Sequence, residues 1–219
     1  MTFSIIARDP ETDTLGVATA TGKLAVGAQV PHLRPGIGAI ATQGFTTNPL
    51  YAEDGFKLLE AGWRADEVVE ALTRRDNGRD WRQVIIMDRH GRTAGFTGDA
   101  NEPAFRLSLA DNLAIAGNML ASQSVLTAME NAFVAATSLP LAARLLEALT
   151  AGEHAGGDKR GTRSAALLAE DKAGWLVDLR VDFDDQPIAA LADLHQRSRE
   201  QGYMDFRASL PTRSNPHGH

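Results

Sequence analysis

The stretch Thr2-Phe3-Ser4-Ile5-Ile6-Ala7-Arg8-Asp9, continued by Leu15-Gly16-Val17-Ala18-Thr19-Ala20-Thr21 beyond the turn Asp9-Pro10-Glu11-Thr12-Asp13, decides the fold class. Both runs are short, rich in Val, Ile, Ala and Thr, and bounded by turn formers, so they read as strands over residues 3–7 and 15–21. Two more strands are expected at 25–30 and 36–42, separated by Gly22-Lys23 and by the Pro31 to Pro35 loop. Helical spacing then takes over with Phe56, Leu59 and Trp63, and again with Val68, Val69 and Leu72. A second block repeats the order: strands at 81–88, 93–96 and 114–117, then helices carrying Val125, Met129 and Phe133, and Leu141, Leu145 and Leu149. Strands at 164–169 and 175–181, joined at residues 171–174, precede a last helix carrying Ile188, Leu191 and Leu194. Strand blocks alternating with paired helices predict an α+β fold, a four-layer αββα sandwich with two antiparallel sheets between helix layers.

The chain has 219 residues, enough for one domain with a sizeable core. Residues 1–200 are taken as that domain and 201–219 as a tail, disordered at its end, because apolar periodicity fades after Gln201. With no Cys, thiolate nucleophiles, cysteine zinc sites and disulfides are excluded. A net charge of -6 with interspersed basic residues argues against nucleic acid as a partner. No stretch approaches the roughly 20 apolar residues of a membrane span, and the N-terminus lacks a basic leader, so a cytoplasmic protein is expected.

Several chemistries lack their motifs: there is no phosphate loop, His-Glu-x-x-His, Gly-x-Ser-x-Gly or dinucleotide fingerprint, so no metal and no cofactor is expected. Thr2 is more informative. Removal of Met1 would leave it with a free α-amine beside its hydroxyl, a nucleophile and a base in one residue, because an α-amine has a reference pKa of about 7.7–8.0. A retained Met1 would turn that nitrogen into an amide and forbid the chemistry.

Thr2 to Asp9, Gly22-Lys23-Leu24-Ala25-Val26-Gly27, Ala41-Thr42-Gln43, Phe96-Thr97-Gly98, Gly117-Asn118-Met119-Leu120, Gly156 to Gly161 with Ser164 to Leu167, and Asp178 to Asp182 together resemble, in order, the DUF1028 family. The resemblance covers about residues 2–195. It implies the fold of the N-terminal-nucleophile (Ntn) hydrolases and hydrolysis of a non-peptide or small peptide-like amide. The chain departs from the family pattern at Gly22, where a Ser is usual, at Thr162-Arg163 in place of Arg-Gln, and at Phe183-Asp184 in place of Asp-His.

Within that reading Thr2 is the nucleophile, and a cation at Lys23 would lower the pKa of its amine or hydroxyl; a solvent-facing turn lysine is the alternative. Asn118 would donate to a developing oxyanion, or else cap the turn after its strand. Asp158 and Arg160, in a Gly-rich loop with Ser164, would bind a carboxylate or amide, a plain exposed hairpin approach being the alternative, and Thr42 and Gln43 would line the same cleft. Asp178, Arg180 and Asp182 alternate on one strand face and read equally as an ion network. Ser4 and Thr21 stand next in line as nucleophiles. The expected reading is an amidohydrolase acting on a small-molecule substrate; the alternatives are an inactive small-ligand-binding protein and an oligomeric scaffold. A homodimer is left open.

Overall fold

The computed structural model describes residues 2–101, 106–122, 124–170, 175–212 and 215–218. One antiparallel sheet is built from β1 (Thr2–Asp9), β2 (Thr14–Thr21), β7 (Arg106–Ala110), β8 (Leu113–Asn118), β9 (Ser164–Glu170) and β10 (Leu176–Val181). Its strand order is β10-β9-β2-β1-β8-β7, so β1 lies at the centre. A second antiparallel sheet has the order β3-β4-β5-β6, from β3 (Pro31–Arg34), β4 (Gly38–Gly44), β5 (Arg82–Asp88) and β6 (Thr93–Thr97). Six helices accompany them among the described residues: α1 (Leu50–Glu60), α2 (Ala65–Arg75), α3 (Ser124–Ala135), α4 (Leu141–His154), α5 (Pro187–Arg197) and α6 (Gln201–Ser209).

The period of two along a strand distributes β1 between two cores. Phe3, Ile5 and Ala7 join Met129 of α3, Leu145 and Leu149 of α4 and Leu191 of α5, whereas Ile6 joins Val17, Ala39, Met87 and Ala114 between the sheets. A third core packs Ile40, Val84 and Ile86 of the smaller sheet against Phe56 of α1 and Val68 and Leu72 of α2. Strands buried on both faces have no need of a polar stripe, which is why β1 and β2 read as nearly continuous runs of apolar and small residues. The small residues set the spacing: a Cβ at Gly16 would come within 2.5 Å of Leu145 Cδ1, so α4 approaches the sheet through that glycine.

Several expectations are corrected. Residues 25–30 form not a strand but a 3-10 turn (Val26–Ala28), entered through Ala25 at φ 53. The Pro31 to Pro35 segment, expected as a loop, supplies edge strand β3 instead. Pro31 takes its first position, where a missing N–H costs no ladder bond, and Pro31 and Leu33 alternate inward. Trp63 is not on a helix face but sits exposed in the turn after α1. Strand β7 and helix α6 carry no such expectation: β7 has no fully buried position and α6 no buried residue, so neither leaves an apolar period to read. The junction at 171–174 and residues 213, 214 and 219 of the expected disordered end lie outside the described residues.

No described helix is long and apolar enough to cross a membrane. Leu145 is fully buried at the α4–sheet contact, so Leu145→Ala should destabilise the protein by about 2–5 kcal/mol, read as a lowered urea midpoint. An unchanged midpoint would mean that the Gly16 approach collapses to fill the gap.

Candidate functional site

The layer between the sheets changes character at one end. Positions with inward parity that carry Ile6, Val17 and Met87 farther along carry Thr2 and Ser4 on β1, Thr19 and Thr21 on β2, Gln43 on β4, Gln83 on β5 and Asn118 on β8 here. All are buried, and burial of polar groups is tolerable only when they are paired. The Ser4 hydroxyl donates to Gln43 Oε1 at 2.6 Å and lies 2.8 Å from the Thr19 hydroxyl. Gln43 Nε2 donates to Gln83 Oε1 at 2.7 Å and to the Thr2 carbonyl at 3.3 Å. Gln83 Oε1 also accepts from Asn118 Nδ2 at 3.1 Å, while Gln83 Nε2 donates to the Gly117 carbonyl and to Thr97 Oγ1. Asn118 Oδ1 is buried and has no hydrogen-bond partner.

Thr2 stands directly opposite Thr21 on one neighbour and Asn118 on the other, and its Oγ1 donates to Thr21 Oγ1 at 3.2 Å. It is also on the wall of a cleft of about 380 Å³ that Lys23, Gln43 and the segment from Gly44 to Thr47 help to line. That segment is anchored from outside. Asn101 Oδ1 accepts from the Phe45 N–H at 2.8 Å, the Thr46 N–H donates to the Trp81 carbonyl, and Arg82 Nη1 donates to the Thr46 carbonyl at 2.8 Å. Phe45 and Trp81 then meet ring to ring, with centroids 5.3 Å apart.

The turn carrying Lys23 is held from behind. Asp158 Oδ2 accepts from the Gly22 N–H at 2.6 Å and from Arg160 Nη2 at 2.8 Å, and Oδ1 accepts from the Arg160 N–H and Nε. Burial pushes this carboxyl up, but the Arg160 side chain and the Arg160 and Gly22 N–H groups outweigh it and hold the pKa below the ordinary value of 3.8. A Cβ at Gly22 would lie 2.7 Å from Asp158 Oδ2 and from the Gly161 carbonyl. Glycine at this departure from the family pattern is therefore matched to a close carboxylate. The Ser164 hydroxyl donates to the Lys23 carbonyl at 2.7 Å and accepts from the Val26 N–H at 3.1 Å.

Of the residues singled out in the sequence, Thr2, Lys23 and Gln43 thus line one cleft, and Asn118 adjoins Thr2 beneath it. Asp158, Arg160 and Ser164 are engaged in positioning the Lys23 turn. Thr42 points to the other face of β4 from Gln43, as strand parity requires, and its hydroxyl donates to the Asn48 carbonyl at 3.1 Å. Arg180 and Asp182 form an exposed ion pair. Gln83, Thr19, Asn101 and Phe45 carry no such expectation from the sequence. The readable signal for the first two was polar residues at inward positions near strand ends; Asn101 and Phe45 belong to connections and have no such period. Among the described residues no group of three His, Asp or Glu side chains is placed to hold a metal ion.

The sequence model of a family described as "Family of unknown function (DUF1028)" matches residues 2–191. The crystal structure of a DUF1028 protein from Silicibacter pomeroyi is 38% identical and covers 99% of this chain and 98% of its own, with a TM-score of 0.92. A comparison with curated proteins gave no match.

Two outcomes test the site's framework. Gln83→Leu strands the Gln43 and Asn118 amide donors and the Gly117 carbonyl, and an unsatisfied buried group costs about 1–3 kcal/mol, so a clear loss in urea stability is expected. Asp158 has a folded pKa below its unfolded one, so its contribution is present above the ordinary value of 3.8 and is lost as pH falls through the lower folded value. Stability of Asp158→Asn should therefore fall less steeply with acidification than that of the wild type; parallel curves would contradict the assignment.

Proposed function

Because the chain belongs to the DUF1028 family, we propose that its cleft is that of an Ntn-type amidohydrolase in a four-layer αββα sandwich, with Thr2 as nucleophile after loss of Met1. The observation that carries the reading is the position of Thr2: first in the central strand and on the cleft wall. A nucleophile on a strand flanked on both sides is held without the entropy cost of ordering a loop.

In the proposed reaction Thr2 Oγ1 bonds to the amide carbon and its proton passes to the α-amine. As the tetrahedral intermediate collapses, the C–N bond breaks and the leaving nitrogen takes that proton. Water then adds to the acyl carbon, giving a proton to the α-amine. When the ester bond breaks, that proton returns to Thr2 Oγ1 and the carboxylic acid departs. Asn118 enters this reading as an acceptor: its Nδ2 donates to Gln83, and its unpartnered Oδ1 adjoins the residue whose amine would be exposed. An oxygen there orients the amine towards the hydroxyl.

Intact mass of the protein from its native host should lack Met1, and a panel of N-acyl amino acids and small amides should contain a substrate. Thr2→Ala should lower turnover by more than about 100-fold, with Thr2→Ser retaining part of it. Retention of Met1 in an active preparation would overturn the mechanism. Because the base must be neutral, kcat/KM should rise with pH through the amine pKa. Asn118→Asp should move that rise to higher pH by stabilising the ammonium, a shift that a purely structural asparagine would not produce.

A further inference from the structure

The wall chemistry of the Thr2 cleft points to the class of molecule it takes. Lys23 is exposed on that wall, and among the described residues none that lines the cleft is acidic and none forms an ion pair with Lys23 Nζ. The Asp158 carboxylate, which supports the Lys23 turn, is buried and engaged by Gly22 and Arg160. Among the described side chains that line the cleft, Lys23 is the one cation. Beside it the surface is apolar to an extent that folding does not require: Leu24 is 64% exposed and Phe45, backed by Trp81, is 50% exposed. Their backbones are pinned, Phe45 through Asn101 and the Leu24 turn through Ser164 and Asp158.

Resting on the amidohydrolase reading of the same site, we infer that the substrate is an amide bearing one carboxylate and an aromatic or branched apolar group, an N-acyl or N-aroyl amino acid. The carboxylate pairs with Lys23 Nζ, and the apolar group lies on Leu24 and the Phe45 ring. Lys23 then acts on the substrate instead of on the pKa of Thr2. Among the described lining residues there is one lysine and neither a guanidinium fork nor a helix N-terminus, which suits a singly charged carboxylate better than a phosphate. The cleft volume of about 380 Å³ is within the usual small-molecule range of roughly 300–1,000 Å³. The polar floor of Thr2 and Gln43 is left to face the amide between the two anchors.

The test separates binding from chemistry by using the Thr2→Ala protein, which lacks the proposed nucleophile, with N-benzoylglycine and its uncharged amide N-benzoylglycinamide as probes in isothermal titration calorimetry. N-benzoylglycine should bind at least about tenfold more tightly than the neutral amide. Lys23→Met, a change at an exposed side chain that should leave the melting midpoint unaltered, should erase that preference. Phe45→Ala should weaken both ligands alike. Equal affinities, a preference that survives Lys23→Met, or no binding of either probe to the folded protein would overturn the inference. The two readings fail separately. Carboxylate-selective binding by a wild type that turns over no amide would sink the hydrolase and leave the ligand class standing. Hydrolysis of neutral amides without that preference would do the reverse.

Discussion

The carboxamide of Gln83 joins the two sheets at the end where the cleft opens. It lies on the smaller sheet, accepts from Gln43 on the same sheet and from Asn118 on the larger one, and donates back to the larger sheet at Gly117. Elsewhere the sheets meet through Ile6, Val17 and Met87, contacts that are favourable in many registers because apolar burial is non-directional. The amide network is directional and buried, so a shift of one sheet along the other would leave several donors and acceptors without partners. Gln43 extends the same constraint to the Thr2 carbonyl, and Ser4 ties β1 to Gln43. The position of Thr2 relative to the smaller sheet is thus set by hydrogen bonds, whereas its depth is set by the apolar packing of Phe3 and Ile5 beneath α4.

Around this floor the cleft is assembled from segments with no regular structure of their own. The stretch after β4 is held at its amides and carbonyls by Asn101, Trp81 and Arg82, and the turn after β2 by Asp158 and Ser164. In both places a side chain from a distant part of the chain satisfies a backbone group that a sheet would otherwise have paired. This division leaves Leu24, Phe45 and Lys23 free to face outward on pinned backbones. In the Gly-rich loop the Asp158 carboxylate bonds both to the Arg160 guanidinium and to the Gly22 N–H of the turn. Chemistry at the cleft is accordingly concentrated in few groups.

Much of this architecture was legible in the amino-acid order. The strand character of β1 and β2, the helix pairs and the α+β class follow from residue size and apolar period, which report on burial directly. The exceptions share a cause. Edge strand β7, the 3-10 turn at Val26 and helix α6 bury little, and β3 is four residues that start on a proline, so local composition has little to report. Of the site, Thr2, Lys23 and Gln43 could be picked out by type, motif and resemblance. That Asp158 and Arg160 face each other, that Thr42 and Gln43 face apart, and that Gln83 links the two sheets depended on where strands far apart in sequence came to lie. The sequence by itself determined which segments bury which faces, because hydrophobic period acts within a few residues. Only the tertiary structure decided which polar side chains meet, because a hydrogen bond is satisfied across a few ångströms by partners that no local pattern specifies.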